Sequence, residues 1–374
     1  MKSKLVLAAA LLGALSVRAE DPPVYDWGVA YYMSYDNDLE RCGQPIIKMI
    51  REGVTSEKVV AAVQADFKDK NGMHRYEIAA SGMKETKVDS EDSASEEQAI
   101  AYLEWFVKTF RCKHYIVTFL DHGGRIDEMC YDEHPGPGGK NWMSGRALGE
   151  KMRAFAKTMD GRFELLFLQQ CGRGSLENLY SFRGTAKHIM SSPIPVGAPN
   201  TYYAHLGKWL AEHPDATGAD AAKKIAETDD HYTIYTCLET KKLDELPKRL
   251  DAMLAPFLEQ PNLVAPGKQE VIHPVGEPIV DAKTYFEAVA SVNSGTGARE
   301  VKDFFEWTRA GLFEQVRFHE GQESLGERLC GLSVFAPRNH AEAVRYEALD
   351  LYKESKLPQL WKQLARRRAP VVPR

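Results

Sequence analysis

The chain has 374 residues, 44% apolar and 27% charged, with a formal net charge of -5 at neutral pH. That length accommodates one large α/β domain with a helical accessory region, and the acidic balance argues against nucleic acid as a partner. Six cysteines, Cys42, Cys112, Cys130, Cys171, Cys237 and Cys330, lie scattered without CxxC pairs, which argues against a zinc framework or a dense disulfide scaffold.

Residues 1–19 read as an export signal: Lys2 and Lys4 form a positive start, "LVLAAALLGAL" is the apolar segment, and "VRA" ending at Ala19 offers small residues for cleavage. The segment is too short for a lasting span, and no other apolar run approaches the roughly 20 residues of a transmembrane helix. Cleavage before Glu20 removes three cations, Lys2, Lys4 and Arg18, and takes the charge from -5 to -8. An exported protein, secreted or periplasmic and without a membrane anchor, is expected.

"WGVAYYMSYDNDL" (27–39) predicts a strand ending in helix-start chemistry, with Asp36, Asn37 and Asp38 placed to cap a helix over "LERCGQPIIKMI". "KVVAAVQADF" (58–67) and "HRYEIAA" (74–80) read as two strands joined by the turn signal "KNG". The polar stretch from Lys84 reads as a surface loop that closes on a capping box, Ser95 to Gln98. That box opens a helix with Leu103, Phe106 and Phe110 on one face. A strand to Leu120 follows, then a glycine- and proline-rich loop over 127–141. Leu148, Met152, Phe155 and Met159 mark an amphipathic helix before a strand at 163–168. Strands alternating with helices imply a parallel sheet covered on both faces, with ligands gathering beyond the carboxyl ends of the strands. Further on, 242–258 reads as helix, the stretch from Pro261 to Pro278 as loop, and 284–318 as one or two helices. "LCGLSVFAP" (329–337) reads as a last strand, and 363–374 as a flexible basic tail.

Two strand-like runs end in the same way: "HYIVTFLDHGGR" stops at His122 before glycine, and "RFELLFLQQCGRG" stops at Cys171 before glycine. Cysteine attacks as the thiolate and needs a base or a positive field nearby, which histidine commonly supplies. In a parallel sheet, two residues 49 positions apart at carboxyl ends of strands can share one rim. Gly123 and Gly172 leave room for a substrate carbonyl, and backbone N–H groups there suit a developing oxyanion, so the pattern fits acyl transfer. A buried small hydrophobe explains a lone cysteine equally well. "QQCGR" also falls near the caspase-type signature, departing from it at Gln170 and Arg173.

These motifs resemble the clostripain family of cysteine peptidases, which shares its fold with caspases. "WGVAYYMSYDNDLE" is similar to the family's opening strand and "YIVTFLDHGGR" to its histidine strand. "CGRGSLENLY" keeps its spacing at Cys171, Gly174, Glu177 and Tyr180. "SSPIPVGAPNTY" parallels a later segment through Gly197 and Tyr202, and "GLSVFAPRN" with "RYEAL" parallels the closing strand. The resemblance spans roughly 27–362 and implies a caspase-like three-layer α/β/α sandwich with a mostly parallel central sheet and additional C-terminal helices. It implies a catalytic core over 20–240, a helical and strand region over 241–362 packed on it, and a monomer that cuts peptide or protein substrates. His122 becomes the general base, Cys171 the nucleophile, and the N–H groups of Gly123 and Cys171 the oxyanion hole.

Relatives usually carry Asp two residues before the cysteine and acidic residues in the later segment, where this chain has Gln169, Ser192 and Pro193. With Gln169, Ser191 and Ser192 as the substrate-binding set, a polar rather than basic P1 residue is expected. No cofactor is expected, although calcium is associated with some relatives. Asp121 reads as structural, since neighbours on a strand point to opposite faces. Asp127, Glu128, Asp132, Glu133 and His134 offer metal ligands, and a solvated acidic loop accounts for them as well. Glu177 and Tyr180, one helical turn apart, read as packing or capping the site. Cys112 and Cys130 flank the histidine strand and are candidates for a disulfide. Two other functions stay open: a non-catalytic binding protein on the same scaffold, and a metal-dependent hydrolase built on Asp121, His122 and the acidic loop.

Overall fold

The computed structural model describes residues 24–70, 72–229, 234–318 and 328–366. The expected signal peptide and positions 367–374 of the tail lie outside the described residues. Helix Leu357–Ala365 carries regular structure past the point where the sequence suggested a tail.

Near-continuous apolar runs form the inner strands, because such strands are covered on both faces. These are β1 (Val24–Tyr35), β2 (Val59–Phe67), β5 (Arg111–Leu120), β8 (Phe163–Gln169) and β9 (His188–Ser191), and β2 is buried along its whole length. They run parallel in the order β9-β8-β5-β1-β2. On one margin β3 (His74–Ala79) and β4 (Gly82–Lys87) add as antiparallel hairpins. On the other, β10 (Ile234–Glu239) and β12 (Phe313–Phe318) also pair antiparallel, giving a mixed nine-stranded sheet. The expected fold class holds, with the parallel part confined to the centre.

Side chains of β1 divide between the layers as strand alternation requires. Tyr32 joins one core, while Tyr31 and Met33 join the other with α1 (Glu40–Gly53), α5 (Tyr203–Glu212) and α6 (Gly218–Thr228). The first core also holds α2 (Glu96–Thr109), α3 (Gly145–Ala156), α7 (Leu246–Leu258), α8 (Ala282–Val292) and α9 (Ala298–Trp307). Each large apolar side chain buried here contributes roughly 1.5–3 kcal/mol. Residues beyond 241 thus pack on the sheet and return a strand to it.

Several elements depart from the sequence reading. The polar stretch after Gly82 is edge strand β4, whose exposed side chains give no apolar alternation to read. The 127–141 loop contains a hairpin, β6 (Glu128–Tyr131) with β7 (Trp142–Ser144), bulged at Cys130. Residues 313–318 are a strand rather than helix. The closing strand is a three-residue β13 (Ser333–Phe335) that pairs with β11 (Ile279–Asp281), away from the main sheet. Ser95 caps α2 as expected, but none of Asp36, Asn37 and Asp38 caps α1, whose N-cap Leu39 has no side-chain bond.

Candidate active site

Strands β5 and β8 are parallel neighbours, and Leu120 stands opposite Gln169 in their register. His122 and Cys171 each lie two residues past that pair, so the carboxyl rim of the sheet receives both from matched strand ends.

The His122 imidazole is about one-third exposed and gives Nε2 to Asp38 Oδ1 at 2.7 Å. That hydrogen bond is the main reason the Asp38 carboxyl lies below the ordinary range. The residue before Asp38 is firmly anchored. Asn37 donates to the carbonyls of Ser34 and Tyr131, both at 2.8 Å, and to Asp121 Oδ1 at 2.9 Å, while its own Oδ1 accepts from Leu39 N–H. Asp121 is buried and also accepts from the Tyr131 backbone N–H, and desolvation pushes its carboxyl well up. Its role is to tie the ends of β1, β5 and β6 together.

Cys171 is a free thiol whose Sγ accepts from Val196 N–H at 3.3 Å. Burial pushes its pKa up; opposing that are the Val196 N–H, the Arg173 charge, and the N–H groups of Gly123 and Cys171 itself. These are the same two N–H groups expected to bind an oxyanion. The approach is close enough that a Cβ on Gly123 would stand 1.9 Å from the Cys171 carbonyl oxygen. Gly172 adopts φ +68, and a Cβ there would meet the His273 ring at 2.2 Å.

Two basic residues that the sequence reading did not place sit beneath this rim. Arg173 is fully buried and donates to carbonyls on both loops: Cys171 (Nε, 3.2 Å), Gly124 and Arg125 (Nη2, 2.9 Å each) and Ile126 (Nη1, 3.4 Å). His273 reaches in from the stretch before β11 and shares Nε2 between the carbonyls of Gly123 and Gly124, each 3.1 Å away. Burial, then the nearby Arg173 charge, lowers its pKa to about 4, so it is neutral near pH 7. Glu277 on the same stretch accepts from Ile126 N–H at 3.3 Å.

Gln169 faces inward. Its amide donates to Asn200 Oδ1 and to Tyr203 (2.7 Å) and accepts from Tyr202 (2.7 Å), and Asn200 passes the network to Asp229 at 2.8 Å. Ser191 and Ser192 are buried too, the latter bonded to the Ile194 backbone. Glu177 accepts from Phe335 N–H and from the Tyr352 hydroxyl, both at 3.2 Å, and Tyr180 donates to Glu354 at 2.7 Å, so both fasten α4 (Leu176–Ser181) to the C-terminal region.

The residues considered as metal ligands are dispersed. Asp127 caps α3 through Ser144 and Arg146, Glu128 accepts from Arg125 N–H, Glu133 pairs with Lys68, and His134 bonds Asp36. Asp132 instead joins Asp36 and Asp66, buried and with ligand oxygens within 4.8 Å of one another. All six cysteines are free, so the candidate Cys112–Cys130 bridge is absent. Cys112 packs near Gly28 at the start of β5, whereas Cys130 bonds Gln170 beyond its other end.

A family model described as the clostripain family matches residues 31–304. An inactive zymogen C11 protease from Parabacteroides distasonis is similar with a TM-score of 0.67 at 16% identity, covering 89% of this chain and 99% of that one. A secreted C11 cysteine protease from Bacteroides thetaiotaomicron, solved with an irreversible peptide inhibitor, gives 0.65 at 15% identity over 88% of this chain and 99% of its own. A further structure of a secreted C11 cysteine protease from that organism gives 0.65 at 14%, over 89% and 100%. At such identities the structural likeness carries the fold. No curated protein matches the sequence.

Proposed function

We propose, on the premise that this chain belongs to the clostripain family of cysteine peptidases, that it is an exported, monomeric endopeptidase working through His122 and Cys171. The observation that carries the reading is the β5–β8 register, which brings both side chains to one rim from matched strand ends. Asp38 takes His122 Nε2, leaving Nδ1 for proton transfer. The Cys171 proton passes to that nitrogen as sulfur attacks the peptide carbonyl carbon. The N–H groups of Gly123 and Cys171 stabilise the resulting oxyanion. The C–N bond then breaks, His122 protonates the departing amine, and a thioester remains. Water adds to the thioester with its proton going to His122, and the acid product leaves as the thiol is restored.

The P1 side chain preferred is uncharged. Gln169 stands where relatives carry an acid, and the carboxylate of its network, Asp229, already accepts from Asn200 and from the Tyr235 hydroxyl at 2.5 Å. Among the described residues of that network no carboxylate is left over for a cationic side chain, which would be costly to desolvate. If calcium is bound, Asp36, Asp66 and Asp132 are the hard oxygen donors that suit it, and Asp66 Oδ2 is buried without a hydrogen-bond partner. It would brace the loop ends around Asp36 and Asp132, and no step above runs through it.

Replacing Cys171 with Ala abolishes turnover of a peptide library and removes iodoacetamide labelling at that residue. Retained hydrolysis rejects the reading. A wild-type protein that binds peptides and never cuts them turns it toward a binding scaffold. Profiling cut sites in a denatured proteome, with the Ala variant as control, reads P1; a majority of cuts after Lys or Arg overturns the uncharged preference.

A further inference from the structure

We infer that Arg173 is a positioning residue for this reaction: its buried guanidinium locks the histidine loop to the cysteine loop and supplies the fixed positive field that favours the Cys171 thiolate. The inference rests on the His122–Cys171 reading and adds a residue to it.

The geometry is specific. The guanidinium donates to Cys171 on one loop and to Gly124, Arg125 and Ile126 on the other, so one planar group sets the separation of the two strand ends. Arg173 Nε would lie 3.1 Å from a Cβ on Gly123, directly behind the proposed oxyanion donor. His273 shares the Gly124 carbonyl with it, so both carbonyls after His122 are held from below.

The charge is as telling as the bonds. Among the described residues no carboxylate lies within ion-pair distance of Arg173, though it is fully buried. A desolvated cation with carbonyl partners alone is a costly way to fill space, and a neutral side chain would pack there more cheaply. The charges that act on it most are the Asp127 carboxylate and then the Cys171 sulfur. The other titratable groups around this pair are His122, Asp127, Glu128 and Cys130 on the histidine side, His273 below, and Tyr235 on β10. Since His273 is neutral near pH 7, Arg173 is the cation that, among the described residues, acts on the sulfur from below. Arginine suits both tasks, because lysine offers a point charge without a fork of donors wide enough for four carbonyls.

The test uses the full chain with Arg173→Met and Arg173→Lys. It reads the pH dependence of Cys171 alkylation by iodoacetamide, located by mass spectrometry, beside kcat and KM on one cleaved peptide. In Arg173→Met the alkylation midpoint moves up by about one pH unit or more, the size expected for removing a nearby opposite charge. Its kcat falls about 100-fold with KM changed far less. Arg173→Lys keeps the midpoint close to wild type yet loses about tenfold in kcat, because charge is retained and the four-carbonyl span is not. A folded Arg173→Met with wild-type midpoint and kcat overturns the inference. If that variant does not fold, Arg173→Lys decides alone, and wild-type kcat in it overturns the inference equally. Failure of the underlying dyad reading looks different: Cys171→Ala then retains hydrolysis, whatever the Arg173 variants do.

Discussion

His122 and Cys171 leave adjacent strands at the same level, yet their surroundings differ. Below the cysteine lie buried, multiply bonded groups that also fix the backbone after His122: Arg173 holds four carbonyls, His273 two, and Gln169 three side chains. On the histidine side one hydrogen bond to Asp38, 73% exposed, orients the ring. A nucleophile must hold its angle to the substrate carbonyl, and rigid packing supplies that; a base that takes a proton and returns it needs a looser, wetter setting. Substitutions on the cysteine side should therefore be severe and insensitive to salt, and those on the histidine side milder and salt-dependent.

Gly123→Ala, where the histidine loop meets the Cys171 carbonyl, tests the rigid packing most sharply. With its Cβ 1.9 Å from the Cys171 carbonyl oxygen, backbone must move, and the same shift displaces the N–H proposed for the oxyanion. The expected kcat loss is about 1,000-fold, with a stability cost of about 1–3 kcal/mol seen in thermal melts. Gly267→Ala, where an added Cβ meets nothing within 4 Å, should leave both unchanged. A Gly123→Ala variant with near-normal kcat would show that this contact between the loops yields more than its packing implies.

Buried carboxylates extend the contrast to stability. Burial, then Asp132, raises Asp66 to about 7, and burial raises Glu177 to about 7. Groups raised this way bind protons more tightly when folded. Stability is then greatest below the unfolded carboxyl pKa near 4 and falls as pH climbs toward 7. In the presence of chelator, Asp66→Asn should gain roughly 2–4 kcal/mol at pH 8 and flatten the slope. Calcium at about 1 mM should raise the melting temperature of wild type and not of that variant, if the three aspartates take the ion. Glu177→Gln keeps the acceptor for Phe335 and Tyr352 and should gain about 1–3 kcal/mol at pH 8, with little change at pH 4. Melts at both pH values check each variant, and a gain at pH 4 equal to that at pH 8 would refute the account.

What the sequence displayed follows from the same division. Strands β1, β2, β5 and β8, covered on both faces, announce themselves as apolar runs, and His122 and Cys171 stand out because each interrupts such a run before a glycine. Strand β4 is nearly all exposed polar residues, and β13 has three residues, so neither leaves a period to read. Arg173 was visible as a departure from a known signature, but its burial depends on the 124–126 loop and on His273, about 100 residues later. His273 itself sits in a proline-rich loop without any local signal. Gln169 reads as a pocket lining because it precedes the cysteine, but its bonds to Asn200, Tyr202 and Tyr203 come from residues 31 to 34 positions later and leave no local trace.

The mildest change isolates the histidine side. Asp38→Asn keeps a group able to accept from His122 Nε2 and removes the charge, so the ring stays oriented while the imidazolium loses its counter-ion. Exposed pairs of this kind contribute little, and kcat/KM should fall about three- to tenfold, more at low ionic strength than at high. The pH dependence has a definite sign. The Asp38 carboxyl is held down chiefly by His122, so the interaction is present above the unfolded carboxyl pKa near 4 and is lost as pH falls through the lower folded value. Wild type and variant should therefore differ at neutral pH and converge in strong acid, in any readout that survives there, such as Cys171 alkylation. A loss of a thousandfold, unmoved by salt, would place Asp38 among the rigid groups and make the two sides of the site alike.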